Sequence, residues 1–276
     1  MIKSRVITHP IHGECLYVDN GVIEIGVPLT FGIRVTHFSF VGENNLFYEQ
    51  PLNLKKFSTD DGWRLRGGHR FWLAPESKAD YCPDNEPIEY ELLENGVRIT
   101  QKKDEWLQVI KSLELRLIGN VLEIEHRILN TGEKRRCSLW GVSSMAGGGT
   151  LTLQLPQREG GYDPNLHIAA WDYTNLGDER LCFTKEQIKI VQRAGVRNLK
   201  IGVGHPVGAA VYEIGDVIVK KHIPLEVGKE YPDGGVSFET YVSDVMIEVE
   251  GLSPLMDVLP NESAAYTERL ELLRKE

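Results

Sequence analysis

The densest group of side chains capable of chemistry lies between Trp63 and Glu76. This segment, WRLRGGHRFWLAPE, combines three arginines, a histidine, two tryptophans and a carboxylate around a pair of glycines. Tryptophan rings offer flat apolar faces, arginine and glutamate offer fixed donors and acceptors for hydroxyl groups, and glycine lets the backbone approach a ligand. The mixture favours a sugar site bound by Arg66, Arg70, Trp72 and Glu76. A surface turn with an ion-pair cluster is the structural alternative.

A second aromatic and polar cluster occupies residues 171–180, WDYTNLGDER. We expect Trp171 to stack on a sugar face and Asp172 to accept hydrogen bonds from sugar hydroxyls. Asp178 and Arg180 are expected to close the loop as an ion pair of little energetic weight.

Composition narrows the class of partner. The 276 residues carry a net charge of -9, which argues against nucleic acid and anionic membranes and favours a small neutral ligand. The N-terminus lacks a secretory signal pattern and no apolar run is long enough to span a bilayer, so a cytoplasmic protein is expected. The cysteines lack a C-x-x-C pair, which predicts reduced, mostly buried thiols without a zinc site or disulfide framework. These are Cys15, Cys82, Cys137 and Cys182.

The elements that must position these side chains are predicted to be β-strands. Apolar residues alternate with polar ones over most of the chain, and three glycine-asparagine turns mark antiparallel hairpins. The turns centre on Asn20-Gly21, Asn95-Gly96 and Gly119-Asn120. Residues 262–274 fit a helix or a strand, and their parity favours a strand. The pattern predicts an all-β protein in which residues 1–276 form one domain of large packed antiparallel sheets.

The predicted strands flank these turns or follow later in the chain. They are 15–18, 22–27, 88–93, 97–101, 109–117, 121–129, 151–155, 199–203, 209–214, 217–221, 236–241 and 245–250.

Four short motifs resemble those of the galactose mutarotase-like superfamily, which includes aldose and hexose-phosphate epimerases. They are GIRVTHF at 32–38 followed by NNLF at 44–47, RGG at 66–68 before Trp72, ILNTG at 128–132, and IEVEGLSP at 247–254 followed by LPNES at 259–263. The resemblance implies a β-supersandwich fold. It also implies a carbohydrate ligand, free or phosphorylated.

The resemblance further implies proton transfer at an anomeric carbon without a cofactor or metal. In a mutarotase, a carboxylate removes the anomeric hydroxyl proton while an acid, usually histidine, protonates the ring oxygen. Glu250 lies at the position of the family glutamate and is the candidate base, with Glu239 as a second candidate. Glu248 shares the parity of Glu250, so both are expected on one face of a strand.

One departure from the family pattern concerns the acid. The stretch 139–145, LWGVSSM, corresponds to the family's histidine motif but contains no histidine. His69 is the proposed substitute, with His167 and His205 as weaker candidates. We therefore expect an epimerase or mutarotase-type isomerase whose groove joins residues 66–76 to residues 239–250. The alternatives are a sugar-binding domain without catalysis and a lyase or hydrolase acting on glycosidic bonds.

Overall fold

The structure, a computed structural model, describes residues 2–157, 161–162, 164–195 and 197–275. Within these residues the regular elements are 22 β-strands and one short 3₁₀ turn at Lys78–Tyr81. The first eleven strands are β1 (Lys3–His9), β2 (Gly13–Asp19), β3 (Ile23–Pro28), β4 (Arg34–Val35), β5 (His37–Phe40), β6 (Gly68–Ala74), β7 (Glu89–Leu93), β8 (Gly96–Thr100), β9 (Val109–Ile118), β10 (Val121–Asn130) and β11 (Arg135–Ala146).

The remaining strands are shorter on average, apart from the last. They are β12 (Thr150–Gln154), β13 (Ile168–Ala170), β14 (Leu181–Phe183), β15 (Gln187–Val191), β16 (Leu199–Val203), β17 (Val207–Ile214), β18 (Val217–His222), β19 (Phe238–Val242), β20 (Met246–Leu252), β21 (Met256–Val258) and β22 (Ser263–Arg274).

The strands form three antiparallel sheets. A four-stranded sheet has the order β1-β2-β3-β5, and a ten-stranded sheet has the order β14-β15-β12-β17-β18-β22-β10-β9-β8-β7. An eight-stranded sheet contains β13-β16-β19-β20-β11-β6-β4, with β21 also paired to β11. The expected all-β architecture of large antiparallel sheets is confirmed.

The three predicted hairpins are present as β2–β3, β7–β8 and β9–β10. Gly21 has the positive φ, 87°, that such a turn demands. Gly96 is required for a different reason, because a Cβ at that position would lie 1.8 Å from the carbonyl oxygen of Leu115. The strand predicted over residues 262–274 is also confirmed, since β22 pairs with β10 and β18 along its length.

The two faces of the eight-stranded sheet bury different side chains. On β6, Phe71 and Leu73 join the main hydrophobic cluster, which draws residues from all three sheets. Trp72 and Ala74, at the alternate positions, join a separate cluster on the opposite face. We call these the inner and outer faces of the sheet. The alternation assigns each side chain of β6 to one face. The organisation of residues 1–276 as a single domain stays a prediction.

Two composition-based expectations bear on the surface and the thiols. No helix among the described residues is long and apolar enough to cross a membrane. All four cysteines are free. Only half of them are fully buried, namely Cys15 and Cys137, because Cys82 is partly exposed and Cys182 lies at the surface.

Candidate active site

Cross-strand pairing on the outer face brings together residues that are far apart in sequence. Val142 of β11 lies opposite Arg70 of β6 on one side and opposite Glu250 of β20 on the other. Glu250 in turn lies opposite Glu239 of β19. Directly paired residues project from the same face of a sheet, so the arginine and both glutamates share the outer face. Glu248, two residues before Glu250, shares this face as its parity predicts.

A cavity of about 260 Å³ opens on this face. Aromatic rings form much of its wall, and a few charged groups interrupt them, which is the composition typical of small-molecule sites. The lining residues are Phe57, Ser58, Thr59, Trp63, Leu65, Arg70, Trp72, Glu76, Tyr81, Trp140, Tyr173, Lys200, Tyr241, Met246 and Glu248. We call this cavity and the carboxylates directly beneath Lys200 the groove.

The chemical centre of the groove is a lysine between carboxylates. Lys200 Nζ lies 2.8 Å from Glu239 Oε2, 3.9 Å from Glu250 Oε2 and 3.7 Å from Glu76 Oε2. The same nitrogen lies 4.5 Å from the ring centres of Trp140 and Trp171. Glu239 and Glu250 are each only 1% exposed. The Glu250 carboxylate accepts no hydrogen bond from any residue that the structure describes.

Burial and mutual repulsion set the protonation of this cluster. Burial raises the pKa of Glu239 well above its usual range and the pKa of Glu250 to about 7, and the Lys200 ammonium lowers both against that rise. Burial lowers the pKa of Lys200, but Glu250 and Glu239 outweigh it, so the net shift is upward and the lysine stays charged. In such a coupled pair, one carboxyl group can stay protonated near neutral pH while the other is ionised.

A second ion pair lines the groove wall. Arg70 Nη1 donates to Glu248 Oε1 over 2.6 Å and to Ser144 Oγ over 3.1 Å. The Arg70 guanidinium also lies 4.5 Å from the ring centre of Trp72. On the other side, Tyr81 donates its hydroxyl to Glu76 over 2.5 Å. Fixed carboxylates beside aromatic faces are suited to holding sugar hydroxyls.

His69, the proposed acid, does not belong to the groove. It occupies the alternate parity of β6, projects from the inner face and is completely buried. Burial, and then the neighbouring His126, lower the pKa of His69 well below its usual value. Because the sheet itself separates the His69 imidazole from Glu250, the proposed joint action of these two residues is wrong.

The His69 imidazole belongs to a hydrogen-bonded chain between the two large sheets. The carbonyl oxygen of Tyr266 can only accept, so His126 Nδ1 donates to it over 3.3 Å. His126 Nε2 therefore accepts from His69 Nε2 over 2.8 Å, and His69 Nδ1 accepts from the Ser143 hydroxyl over 2.9 Å. Lys221 Nζ completes the chain by donating to Ser143 Oγ over 3.1 Å. These hydrogen bonds place the proton of a neutral His126 on Nδ1 and the proton of a neutral His69 on Nε2.

Three other predicted residues lie at or beyond the edge of the groove. Trp171 contacts Lys200 at the rim and is partly exposed. Asp172 is exposed and makes no hydrogen bond with a described residue. Arg66 packs its guanidinium 3.9 Å from the ring centre of Phe31 and donates to Asn85, so it points away from the cavity. Its backbone has a positive φ of 57° just before the glycine pair, which redirects the chain there.

The weaker histidine candidates also lie outside the cavity wall. His167 is exposed, and His205 packs edge-on against Tyr231 with ring centres 5.2 Å apart. Within the described residues that line the cavity there is no histidine.

The sequence analysis missed Lys200 and Trp140. Lys200 is the one charged residue in the otherwise apolar strand β16, LKIGV, and every residue of that strand is buried. A lone charge at such a position needs a partner, which is a signal that sequence could have offered. Trp140 lies within 139–145, where only a histidine was sought, and has the parity of the outer face.

Potential metal ligands cluster at two places among the described residues. In the first, His9 Nε2 and His12 Nε2 lie 3.4 Å and 3.1 Å from Glu49 Oε1. His9 Nδ1 accepts from the backbone N–H groups of Ile11 and His12, so the proton of the neutral His9 ring resides on Nε2, which faces the carboxylate. A metal-bound Nε2 would instead need Nδ1 to donate. The second cluster, His69, His126 and Glu268, holds the Lys221 ammonium 2.9 Å from Glu268. Neither arrangement favours a cation.

Comparisons with known proteins point to one fold. No protein-family model matches the chain, and no curated protein matches it significantly. YeaD of Salmonella typhimurium, provisionally assigned as a mutarotase, superposes with a TM-score of 0.62 at 11% identity, covering 99% of this chain and 97% of its own. The galactose mutarotase-like protein CA_C0697 of Clostridium acetobutylicum gives 0.57 at 12% identity, covering 100% and 99%. The provisionally assigned aldose 1-epimerase b2544 of Escherichia coli K12 gives 0.58 at 10%, covering all of both chains.

Proposed function

Because the chain has the galactose mutarotase-like fold, we propose that its groove binds an aldose and interconverts the anomers of that sugar. The observation that carries the proposal is the buried pair Glu239 and Glu250 beside Lys200, on the outer face and next to a cavity. Two neighbouring carboxyl groups, one protonated and one ionised near neutral pH, are what general acid-base catalysis at an anomeric centre needs.

The proposed step uses one carboxylate as base and the other as acid. Glu239 serves as the ionised member, because the Lys200 ammonium 2.8 Å away opposes the rise that burial imposes on its pKa, and it takes the proton of the anomeric hydroxyl. Glu250 carries the proton and gives it to the ring oxygen as the bond between that oxygen and the anomeric carbon breaks. The open-chain carbonyl then turns, and the reverse transfers close the ring on its other face. Glu250 thus takes the acid role that the sequence analysis gave to His69.

The rest of the groove would hold the sugar. Trp72 and Trp140 present aromatic surface next to the carboxylates, and their ring centres lie 5.6 Å apart. Glu248 and Glu76 offer carboxylate oxygens to the sugar hydroxyl groups. A hydrogen bond of 2.6 Å from Arg70 fixes the position of the Glu248 carboxylate. The ammonium of Lys200 stabilises negative charge that develops on the sugar oxygens.

The test is anomer exchange of glucose and galactose measured by exchange NMR. Glu250→Gln and Glu239→Gln preserve side-chain size but cannot transfer a proton, so each should lower the turnover by about 10²–10⁴-fold. The double variant should be no worse than about the poorer single variant, because both residues serve one proton-transfer event.

Glu248→Gln is the matched control, because Glu248 lies on the same strand and face but is engaged by Arg70. It should raise KM while leaving kcat within about threefold. If Glu250→Gln and Glu239→Gln exchange anomers at the wild-type rate, the proposed proton transfer is wrong.

A second candidate function is sugar binding without catalysis. The burial of the two carboxylates favours this alternative. Glu239 and Glu250 are each 1% exposed beneath Lys200, so a sugar in the cavity would contact the lysine before it reached either glutamate. Wild-type protein that binds a sugar and leaves its anomer exchange at the uncatalysed rate would establish this alternative.

A further inference from the structure

The groove contains more carboxylates than cations. Four glutamates face two basic residues, and each basic residue is already held in an ion pair. Arg70 Nη1 lies 2.6 Å from Glu248 Oε1, and Lys200 Nζ lies 2.8 Å from Glu239 Oε2. The two glutamates in excess are Glu76 and Glu250, which lie 3.7 Å and 3.9 Å from Lys200 Nζ. Because Glu250 carries a proton in the proposed step, Glu76 is the one that adds a negative charge to the groove.

The basic residues nearest to the groove in sequence, in the segment 55–66, do not relieve this excess. Arg64 and Arg66 line a different cavity, of about 280 Å³, together with His12 and Lys55. Lys56, near the groove rim, is paired with Asp244 over 2.5 Å. Within the described residues, no basic side chain of the groove is left without a carboxylate partner for a phosphate or carboxylate of a ligand to engage.

One carboxylate of the wall has accepting capacity to spare. Glu248 Oε1 receives Arg70 and Ser144, whereas Glu248 Oε2 accepts no hydrogen bond from a described residue. Glu76 is about one-third exposed, with a side-chain exposure of 35%. A positively charged substituent on the sugar could therefore be met by a fixed carboxylate without displacing an existing ion pair.

From this charge distribution we infer that the groove selects its sugar by charge: it favours an amino sugar over a neutral aldose and rejects sugar phosphates and uronic acids. The inference rests on the proposed function for the identity of the ligand as a sugar. A phosphate ester brings about -1.5 to -2 charges at neutral pH. In the groove it would face an excess of carboxylates with no unpaired cation to receive it. An ammonium group would instead gain from the same field.

Glucosamine, glucose and glucose 6-phosphate are the probes, each measured both for binding by saturation-transfer NMR and for anomer exchange. We expect affinity and kcat/KM to fall in that order, with at least about a tenfold difference between the first and the last. The difference should shrink between about 0.02 M and 0.5 M salt, because screening weakens charge discrimination but not steric discrimination.

A matched pair of variants isolates the groove charge. Glu76→Gln removes one carboxylate from the groove. The ratio of the affinity for glucosamine to the affinity for glucose 6-phosphate should therefore fall by about threefold or more. Glu91→Gln changes the net charge equally but lies on β7, at the edge of the ten-stranded sheet, and should leave the ratio unchanged.

The outcomes separate the inference from the proposed function. If glucose 6-phosphate binds as well as glucose or better, the charge selection is wrong even where anomer exchange is catalysed. If the affinities follow the expected order but no sugar exchanges its anomers above the uncatalysed rate, the charge selection is supported and the proposed catalysis is wrong. If none of the three sugars binds, both are wrong.

Discussion

A buried lysine–glutamate pair lies against each face of the eight-stranded sheet, and the two pairs differ in what surrounds them. On the outer face, Lys200 Nζ lies 2.8 Å from Glu239, and on the inner face, Lys221 Nζ lies 2.9 Å from Glu268. The four side chains are at most 6% exposed. Residue type and burial therefore do not distinguish the pairs.

The neighbours of the two lysines do distinguish them. Lys221 donates to the backbone carbonyls of Gly141 and Val249 over 2.8 Å and 3.0 Å, and to Ser143 over 3.1 Å. Its three N–H donors are therefore used. Lys200 donates to no neutral acceptor among the described residues and lines a cavity instead. The inner pair thus joins strands together, whereas the outer pair keeps hydrogen-bonding capacity for a ligand.

The largest expected effect is on the inner pair. Lys221→Met would leave the buried Glu268 carboxylate without its counter-ion and two backbone carbonyls without their donor, which should cost about 3–5 kcal/mol of unfolding free energy. Urea unfolding followed by tryptophan fluorescence measures the loss.

Lys200→Met is the matched control on the outer face. Its cost should be less than about half as large, because, among the described residues, Lys200 donates to no backbone carbonyl or hydroxyl whose hydrogen bond would be lost with it. Equal losses for the two variants would contradict the division of the sheet into a structural and a functional face.

The same division marks what sequence could predict. Alternation predicted the hairpins and β22, since burial of one face imposes a period of two residues. The same rule placed Glu248 with Glu250. Applied to β6, it would also have separated His69 from Arg70 and Trp72, which the sequence analysis treated as one site.

Other parts of the site depend on pairing that no local pattern contains. Lys200 meets Glu239 because β16 lies beside β19 in the eight-stranded sheet, a contact between residues 39 positions apart in the numbering. Arg66 leaves the site because its backbone adopts a positive φ before Gly67. Neither the order of strands in a sheet nor a single turn of the backbone follows from composition or periodicity.

A smaller effect concerns the stability cost of the outer carboxylates. The pKa of Glu250 is raised from 4.5 to about 7 by burial, so the folded protein holds more protons than the unfolded chain between these pH values. The stability contributed by this group is therefore lost as pH rises toward 7. Because glutamine does not titrate, Glu250→Gln should gain up to about 3 kcal/mol relative to wild type between pH 4.5 and about pH 8.

Urea unfolding of both proteins at the two pH values provides the measurement. Glu268→Gln is the comparison on the inner face, where the pKa is also raised to about 7. That variant leaves the Lys221 ammonium unpaired, so it should be destabilised at both pH values. If the difference in unfolding free energy between Glu250→Gln and wild type is the same at both pH values, the pKa of Glu250 is not raised in the folded protein.

The smallest expected effect is at the rim, where Trp171 lies 4.5 Å from Lys200 Nζ. Removing the ring in Trp171→Ala should weaken sugar binding by about 1 kcal/mol, roughly fivefold, through lost stacking and a less firmly held ammonium. Trp106→Ala is the control, since Trp106 is 40% exposed and is not part of the cavity wall. If Trp171 only closes its loop, Trp171→Ala will lower the urea midpoint without changing sugar affinity, and Lys200 alone will then define the ligand-facing edge of the outer face.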